Sequence, residues 1–146
     1  MVAIVLTFLL SWFTGVQLQQ MDTLQAKAMQ IAPCDVIKSD CVLGLSGSKL
    51  KIHFNAPVNT MSPFSVVVES AAEVTQVTLQ FRMQGMEMAV QRYRLLKNKS
   101  GTWQAEVMLP VCSLGRSDWV ALLDVQLKQE WWRGELVFRV GELATN

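Results

Sequence analysis

The sequence predicts an all-β domain, an immunoglobulin-like antiparallel β-sandwich of about seven strands, preceded by one N-terminal transmembrane helix. Three observations carry this expectation. Residues 1–16, MVAIVLTFLLSWFTGV, hold no charged side chain. Seven later segments alternate apolar and polar residues, the period of a half-buried strand. Turn-forming residues separate those segments at short intervals, and no stretch between them has the length and period of a helix.

The N-terminal element comes first. Charge first appears at Asp22. A helix rises about 1.5 Å per residue, so about 20 residues cross a ~30 Å hydrocarbon core. Trp12 suits an interfacial position near the end of the run. An uncleaved anchor over residues 1–18 fits better than a cleaved signal peptide. No Lys or Arg precedes the apolar run, and the A-x-A triplet Ala26-Lys27-Ala28 lies well beyond it. Residues 19–33 read as a helical stalk. Leu18, Met21, Leu24, Ala28 and Ile31 recur every three or four residues, and Pro33 ends the pattern.

The third segment, residues 34–146, is the expected periplasmic sandwich. Cys34 and Cys41 bracket CDVIKSDC, a gap that does not match C-x₂-C or C-x₄-C zinc spacing but suits a small disulfide loop. Such a bond persists on the oxidising side of a membrane. The strands then follow in order. Leu50, Ile52 and Phe54 alternate with Lys51, His53 and Asn55. Phe64, Val66 and Val68 follow Pro63. Val77, Leu79, Phe81 and Met83 point one way, and Gln76, Thr78, Gln80 and Arg82 the other. Tyr93 and Leu95 flank Arg94. Trp103, Ala105, Val107 and Leu109 alternate with Gln104, Glu106 and Met108. Trp119 to Leu127 is the longest run, and Leu136, Phe138 and Val140 form the partner of a closing hairpin.

Composition limits the function classes. Thirteen basic and twelve acidic residues give a net charge of +1, which is no footprint for nucleic acid. The one histidine, His53, shares the outward parity of Lys51 and Asn55 and reads as a surface residue. A cupredoxin-type centre needs two histidines. No nucleophile motif, P-loop, dinucleotide glycine motif or distinct carboxylate pair appears, so the chain is read as a non-enzyme.

The stretch FRMQGMEMAVQRYRL holds the most chemistry. Met83, Met86 and Met88 fall together across the break at Gln84-Gly85. Thioether sulfur is soft, binds Cu(I), and needs no deprotonation. The bland alternative makes Met83 a core side chain, continuing Val77, Leu79 and Phe81, with Met86 and Met88 lining a loop. Cys112 is the unpaired cysteine, either a small buried hydrophobe or a soft-metal or redox thiol. Arg116 and Asp118 can pair across the LGRSDW turn. Trp131 and Trp132 sit beside Arg133 at a hairpin tip, where strand alternation buries only one of them. The other is free to meet a partner or the membrane interface.

Taken together, an N-terminal anchor, P-F-S-V-V-V, V-T-L-Q-F-R-M-Q-G-M-E-M, G-T-W-Q-A-E-V-M-L-P and D-W-V-A-L-L-D-V resemble the FixH-like and YtkA-like periplasmic membrane-anchored proteins of bacteria. The chain is closer still to uncharacterised proteobacterial membrane proteins with a paired-cysteine entry, an M-x-M turn and an L-P-V-C-x-x-G-R-x-x-W segment. The likeness covers roughly residues 34–140. It implies a single-pass protein of the bacterial inner membrane, its domain in the periplasm, with a role in cytochrome oxidase or copper-site assembly. It also implies Met86 and Met88, and beyond them Met83 and Cys112, as Cu(I) ligands. The M-P-x-H or M-P-x-M continuation is replaced here by Ala89, Val90 and Gln91. Two readings follow. One is a Cu(I)-binding assembly accessory factor with a membrane protein partner. The other is a metal-free interaction module that scaffolds a membrane complex through a sandwich face and the Trp131-Trp132 tip.

Overall fold

The structure, a computed structural model, describes residues 26–55, 57–86 and 91–141. The expected anchor, residues 1–18, and the first part of the expected stalk lie outside the described residues. Within the described residues the chain is all-β and forms two sheets.

The strands are β1 (Lys27–Ala28), β2 (Gln30–Ile31), β3 (Cys41–Leu45), β4 (Ser48–Asn55), β5 (Pro63–Ser70), β6 (Val74–Met83), β7 (Gln91–Arg94), β8 (Leu96–Lys97), β9 (Trp103–Met108), β10 (Asp118–Leu127) and β11 (Glu130–Arg139). One sheet runs β1-β11-β10-β6-β7 and the other β2-β3-β4-β5-β9-β8. Every pairing between strands is antiparallel except β1 with β11. All seven expected strands are present. Alternation did not reveal β3, nor the two-residue strands β1, β2 and β8. Cys41, Leu43 and Leu45 are fully buried on one face, but Gly44 interrupts the polar face that would have marked the pattern.

Residues 27–31 correct the helical stalk. Lys27–Ala28 pair with Trp132–Arg133 of β11, and Gln30–Ile31 pair with Gly44 and Leu43 of β3. The chain therefore changes sheets at Met29. That residue is buried, and its N–H donates to the Arg133 carbonyl at 2.8 Å. Helix propensity separates ordinary residues by at most about 0.7 kcal/mol each, so burial of Met29 and pairing to two sheet edges override it. Gly134 makes room for this crossing. A Cβ there would stand 2.4 Å from Leu43 Cδ2 and 3.5 Å from the Met29 sulfur.

Between the sheets lies one apolar core. Its aromatic part consists of Phe54, Phe64, Phe81 and Phe138, one ring each from β4, β5, β6 and β11. Phe54 stands 5.4 Å from both Phe64 and Phe138, and Phe81 is within 6.2 Å of all three. These tilted and edge-on contacts suit the ring quadrupole. Central strand β10 is buried on both faces from Trp119 to Val125. Asp124 is buried among them, and its two oxygens accept from Arg133 Nε at 2.6 Å and Nη2 at 2.9 Å. That bidentate pairing holds the Arg133 guanidinium above its ordinary pKa.

Where the two sheets part, Tyr93 bolts them together. It belongs to β7, and its hydroxyl donates to the Met108 carbonyl of β9 at 2.9 Å while the Met108 N–H donates back to it at 3.3 Å. Tyr93→Phe keeps the ring against Phe81 but leaves both Met108 groups without this partner. It should cost about 1–2 kcal/mol in urea denaturation. A change below a few tenths of a kcal/mol would mean that water replaces the hydroxyl without loss.

Candidate functional site

Strand register gathers three loops at one end of the sandwich. Asn55 pairs with Ser65, so the β4–β5 loop lies where β4 ends. Thr60 bridges Leu109, and the Met61 N–H donates to the Leu109 carbonyl at 2.8 Å, which ties that loop to the start of the β9–β10 loop. Met83 pairs with Trp119, so the β6–β7 turn stands beside the point where β10 begins. The four-phenylalanine cluster forms the floor beneath these loops.

The candidate ligands fall here in different ways. Met83 is fully buried opposite Trp119, with the core parity of Val77, Leu79 and Phe81. Met86 is half-buried against the edge of the core. Its N–H donates to the Met83 carbonyl at 3.3 Å, closing a turn in which Gly85 takes φ +70°, open to glycine at no steric cost. Met88 lies outside the described residues. Cys112 is a half-buried free thiol that also packs at the core edge. Its carbonyl accepts from the Gly115 N–H at 3.1 Å.

Arg116 links the two loops that carry these sulfurs. Its Nη2 donates to the Gln84 carbonyl at 2.8 Å, and its Nε donates to Asp118 Oδ1 at 2.9 Å. A second bond joins Nη2 to Asp118 Oδ2. The expected Arg116–Asp118 pair is therefore present, and Arg116 also ties it to the Gln84 carbonyl.

The clamp has a pH signature. Hydrogen bonding to Arg116 holds the Asp118 pKa below its ordinary 3.8. A carboxylate depressed on folding contributes stability above its unfolded pKa, and that contribution is lost as pH falls through the lower folded value. The difference in urea midpoint between wild type and Arg116→Gln should thus be constant at neutral pH and shrink as pH drops below the ordinary carboxylate range. A difference that persists undiminished at pH 2 would place the clamp's effect elsewhere. Both groups are solvent-screened, so the difference itself should be small.

Sequence reasoning missed the apolar surface of this end. Met61 is 61% exposed, Val111 62%, Leu114 70% and Met108 39%. Met61 also takes φ +60°, an uncommon conformation for a side chain of its size. The available signal was Met61, Val111 and Leu114, apolar residues standing between the expected strands, where turn residues would be usual. Beside them, a surface hollow of about 540 Å³ lies between the disulfide loop and the end of β11, lined by Asp35, Ile37, Val58, Val137 and Phe138 among others.

The remaining singled-out residues are elsewhere. His53 lies on β4 with Nδ1 3.7 Å from Asp40 Oδ1, too long for a hydrogen bond. Among the described residues no group of three or more His, Cys, Asp and Glu is placed to hold a metal ion, a set that does not include thioethers. Trp131 and Trp132 are both half-buried. They stand at the opposite end of the sandwich, in register with Gln126 and Val125. Lys27 lies over the Trp132 ring at 5.4 Å. No family model, curated protein or solved structure matches the chain.

Proposed function

We propose that this protein is a membrane-anchored periplasmic accessory module that docks a membrane protein partner through the loop end carrying Met61, Met86, Met108, Val111 and Leu114. The carrying observation is the exposure of four large apolar side chains at that one end, Met61, Val111 and Leu114 from two loops and Met108 from the last position of β9. An apolar patch rimmed by polar groups is a usual mark of an interaction site. The uncharged run at residues 1–16 and the Cys34–Cys41 disulfide support the anchored, extracytoplasmic placement. The order β4-β5-β9 facing β11-β10-β6-β7 supports reading the sandwich as immunoglobulin-like, a scaffold that presents loops at its ends.

Photo-crosslinking in native membranes tests the docking reading. A crosslinking residue at position 114 should give one discrete product that Val111→Asp abolishes, while one at exposed position 96, at the far end, gives none. Products from 96 and 114 alike, or none from either, would defeat it.

The second reading, Cu(I) binding in oxidase or copper-site assembly, is favoured by a specific placement. Arg116, on the loop that carries Cys112, bonds the Gln84 carbonyl of the Met86 turn, so two soft sulfur donors sit half-buried at the same end. Met86, Met88 and Cys112 would then hold the ion, since Met83 is fully buried. Thioethers carry no proton at neutral pH, so affinity should hold at moderately low pH unless Cys112 thiolate is required. Met86→Leu with Met88→Leu conserves volume and should cost under about 1.5 kcal/mol of stability. Titration against a chromogenic Cu(I) chelator should give one site per chain in wild type and a much weaker one in the double variant. Equal affinity in both would leave the metal-free docking module.

A further inference from the structure

The opposite end of the sandwich carries a second surface, and its chemistry is that of a lipid interface. We infer that the β10–β11 hairpin tip and its neighbouring loops rest on the anionic headgroups of the bilayer that holds the anchor, leaving the methionine-bearing end pointing away from it. This rests on the anchor reading of residues 1–18.

Chain entry is the first argument. Because β1 runs parallel to β11 with Lys27 beside Trp132, the residues preceding Lys27 reach the domain at the hairpin tip. The Lys27 ammonium is fastened there, 2.6 Å from Glu130 Oε1. Eight residues, 19–26, separate the expected anchor from this point. Their contour is under about 29 Å even when fully extended. A ten-residue strand such as β10 is itself about 33 Å long. The tether is therefore too short to let the domain stand inverted on its methionine-bearing end, with the tip a full sandwich length from the bilayer.

Charge is the second argument. Register places the turns after β3, β5 and β8 at the same end as the tip, since Leu45 pairs with Ser48, Leu50 with Ser70 and Lys97 with Trp103. Lys49, Lys97, Lys99 and Lys128 belong to this end. All four are exposed, and none forms an ion pair among the described residues. Among the described residues its acidic groups are Glu69, Glu73 and Glu130; Glu69 already faces Lys51 at 3.4 Å and Glu130 faces Lys27. Anionic headgroups attract such a cluster additively.

Apolar and aromatic groups complete the surface. Leu96 is 71% exposed beside Lys97. Trp131 and Trp132 are half-buried just behind the tip, the depth at which amphipathic rings meet an interface. Lys128 itself takes φ +57° at the apex of the hairpin, a conformation in which glycine would be unstrained. A long cationic side chain stands there instead, at the point closest to the headgroups.

The test uses the full chain reconstituted into vesicles of phosphatidylethanolamine and phosphatidylglycerol, doped with a nickel-chelating headgroup lipid. Nitroxide labels are placed by Gln129→Cys or Leu114→Cys in a Cys112→Ser background. Nickel should enhance relaxation severalfold more at 129 than at 114. Lys49→Glu with Lys97→Glu and Lys99→Glu, surface changes away from the label, should remove most of that difference, as should replacing phosphatidylglycerol by phosphatidylcholine. Equal enhancement at both positions, or more at 114, with the chain still held in carbonate-washed vesicles, would overturn the lipid surface while leaving the anchor in place. Loss of the chain on carbonate washing would overturn the anchor reading and this inference with it. Shielding of 129 in native membranes but not in lipid-only vesicles would assign the tip to a protein and also overturn it.

Discussion

Phe81→Ala is expected to lower stability by about 3–5 kcal/mol, because the ring is nearly fully buried and its removal leaves a cavity that its neighbours only partly refill. Phe81 meets Phe54, Phe64 and Phe138 within the core and Tyr93 at its edge, 6.1–6.2 Å between ring centroids. Four rings from four different elements therefore lose a partner at once. Urea denaturation should show a lower midpoint with an unchanged m-value. The loss should also reach the loop end, since Phe81 lies two residues before Met83 on β6 and beneath the Met86 turn. Amide exchange at Met86 should accelerate more than exchange at the distal Gln129. A stability loss under about 1.5 kcal/mol would mean that the cluster repacks as freely as a volume-conserving swap.

Replacing Cys34 and Cys41 together by serine is expected to cost about 2–3 kcal/mol, the loop-closure entropy returned to the unfolded chain by opening so short a loop. The two cysteines are bonded, with 5.6 Å between their Cα atoms. The loop they close is itself ordered. The Asp35 carbonyl accepts from the Lys38 and Ser39 N–H groups at 2.9 and 3.0 Å, and Val36 is buried in the core. Opening the bond frees Val36 to leave, so the measured loss should sit at or above the entropic value. Thermal unfolding should fall by roughly 10 °C for a domain of this size. Reductant should produce the same fall in wild type and none in the serine variant, with Cys112→Ser behaving as wild type. A wild type indifferent to reductant would show that the bond does not form in the folded protein.

Legibility of the fold followed burial geometry. Segments with one buried face, such as Leu50-Ile52-Phe54 and Val77-Leu79-Phe81-Met83, declared themselves by period two, and their inward parity agrees with the buried side chains. The same parity placed Met83 in the core, where the structure puts it. The parity argument for the tryptophan pair does not hold, since Trp131 and Trp132 are both half-buried rather than one buried and one free. Residues 27–31 failed for a nameable reason. Their composition is that of a helix, and the hydrogen-bonding partners that make them strands lie on β11 and β3, at least a dozen residues away in sequence.

The candidate site was legible only in its residue types. Soft sulfur at Met83, Met86 and Cys112 could be read directly, as could the pairing of Arg116 with Asp118. Which of those sulfurs meets solvent, and which loops stand beside them, depends on the register of β6 with β10 and of β5 with β9. Met61 on one loop, Val111 and Leu114 on another, and Met108 at the end of β9 reach the same end of the sandwich only through that pairing.

Local chemistry along the chain was enough to determine the all-β class, the inward faces of seven strands, the uncharged N-terminal run and the Cys34–Cys41 bond. Each depends on neighbours within a few residues, through backbone period, charge or loop length. Tertiary structure alone decided that Met29 crosses between sheets at Gly134, that Asp124 is held by Arg133, and that the sandwich has one apolar loop end and one lysine-bearing tip. Those features are contacts between distant strands. A residue's own chemistry does not record what the fold will bring against it.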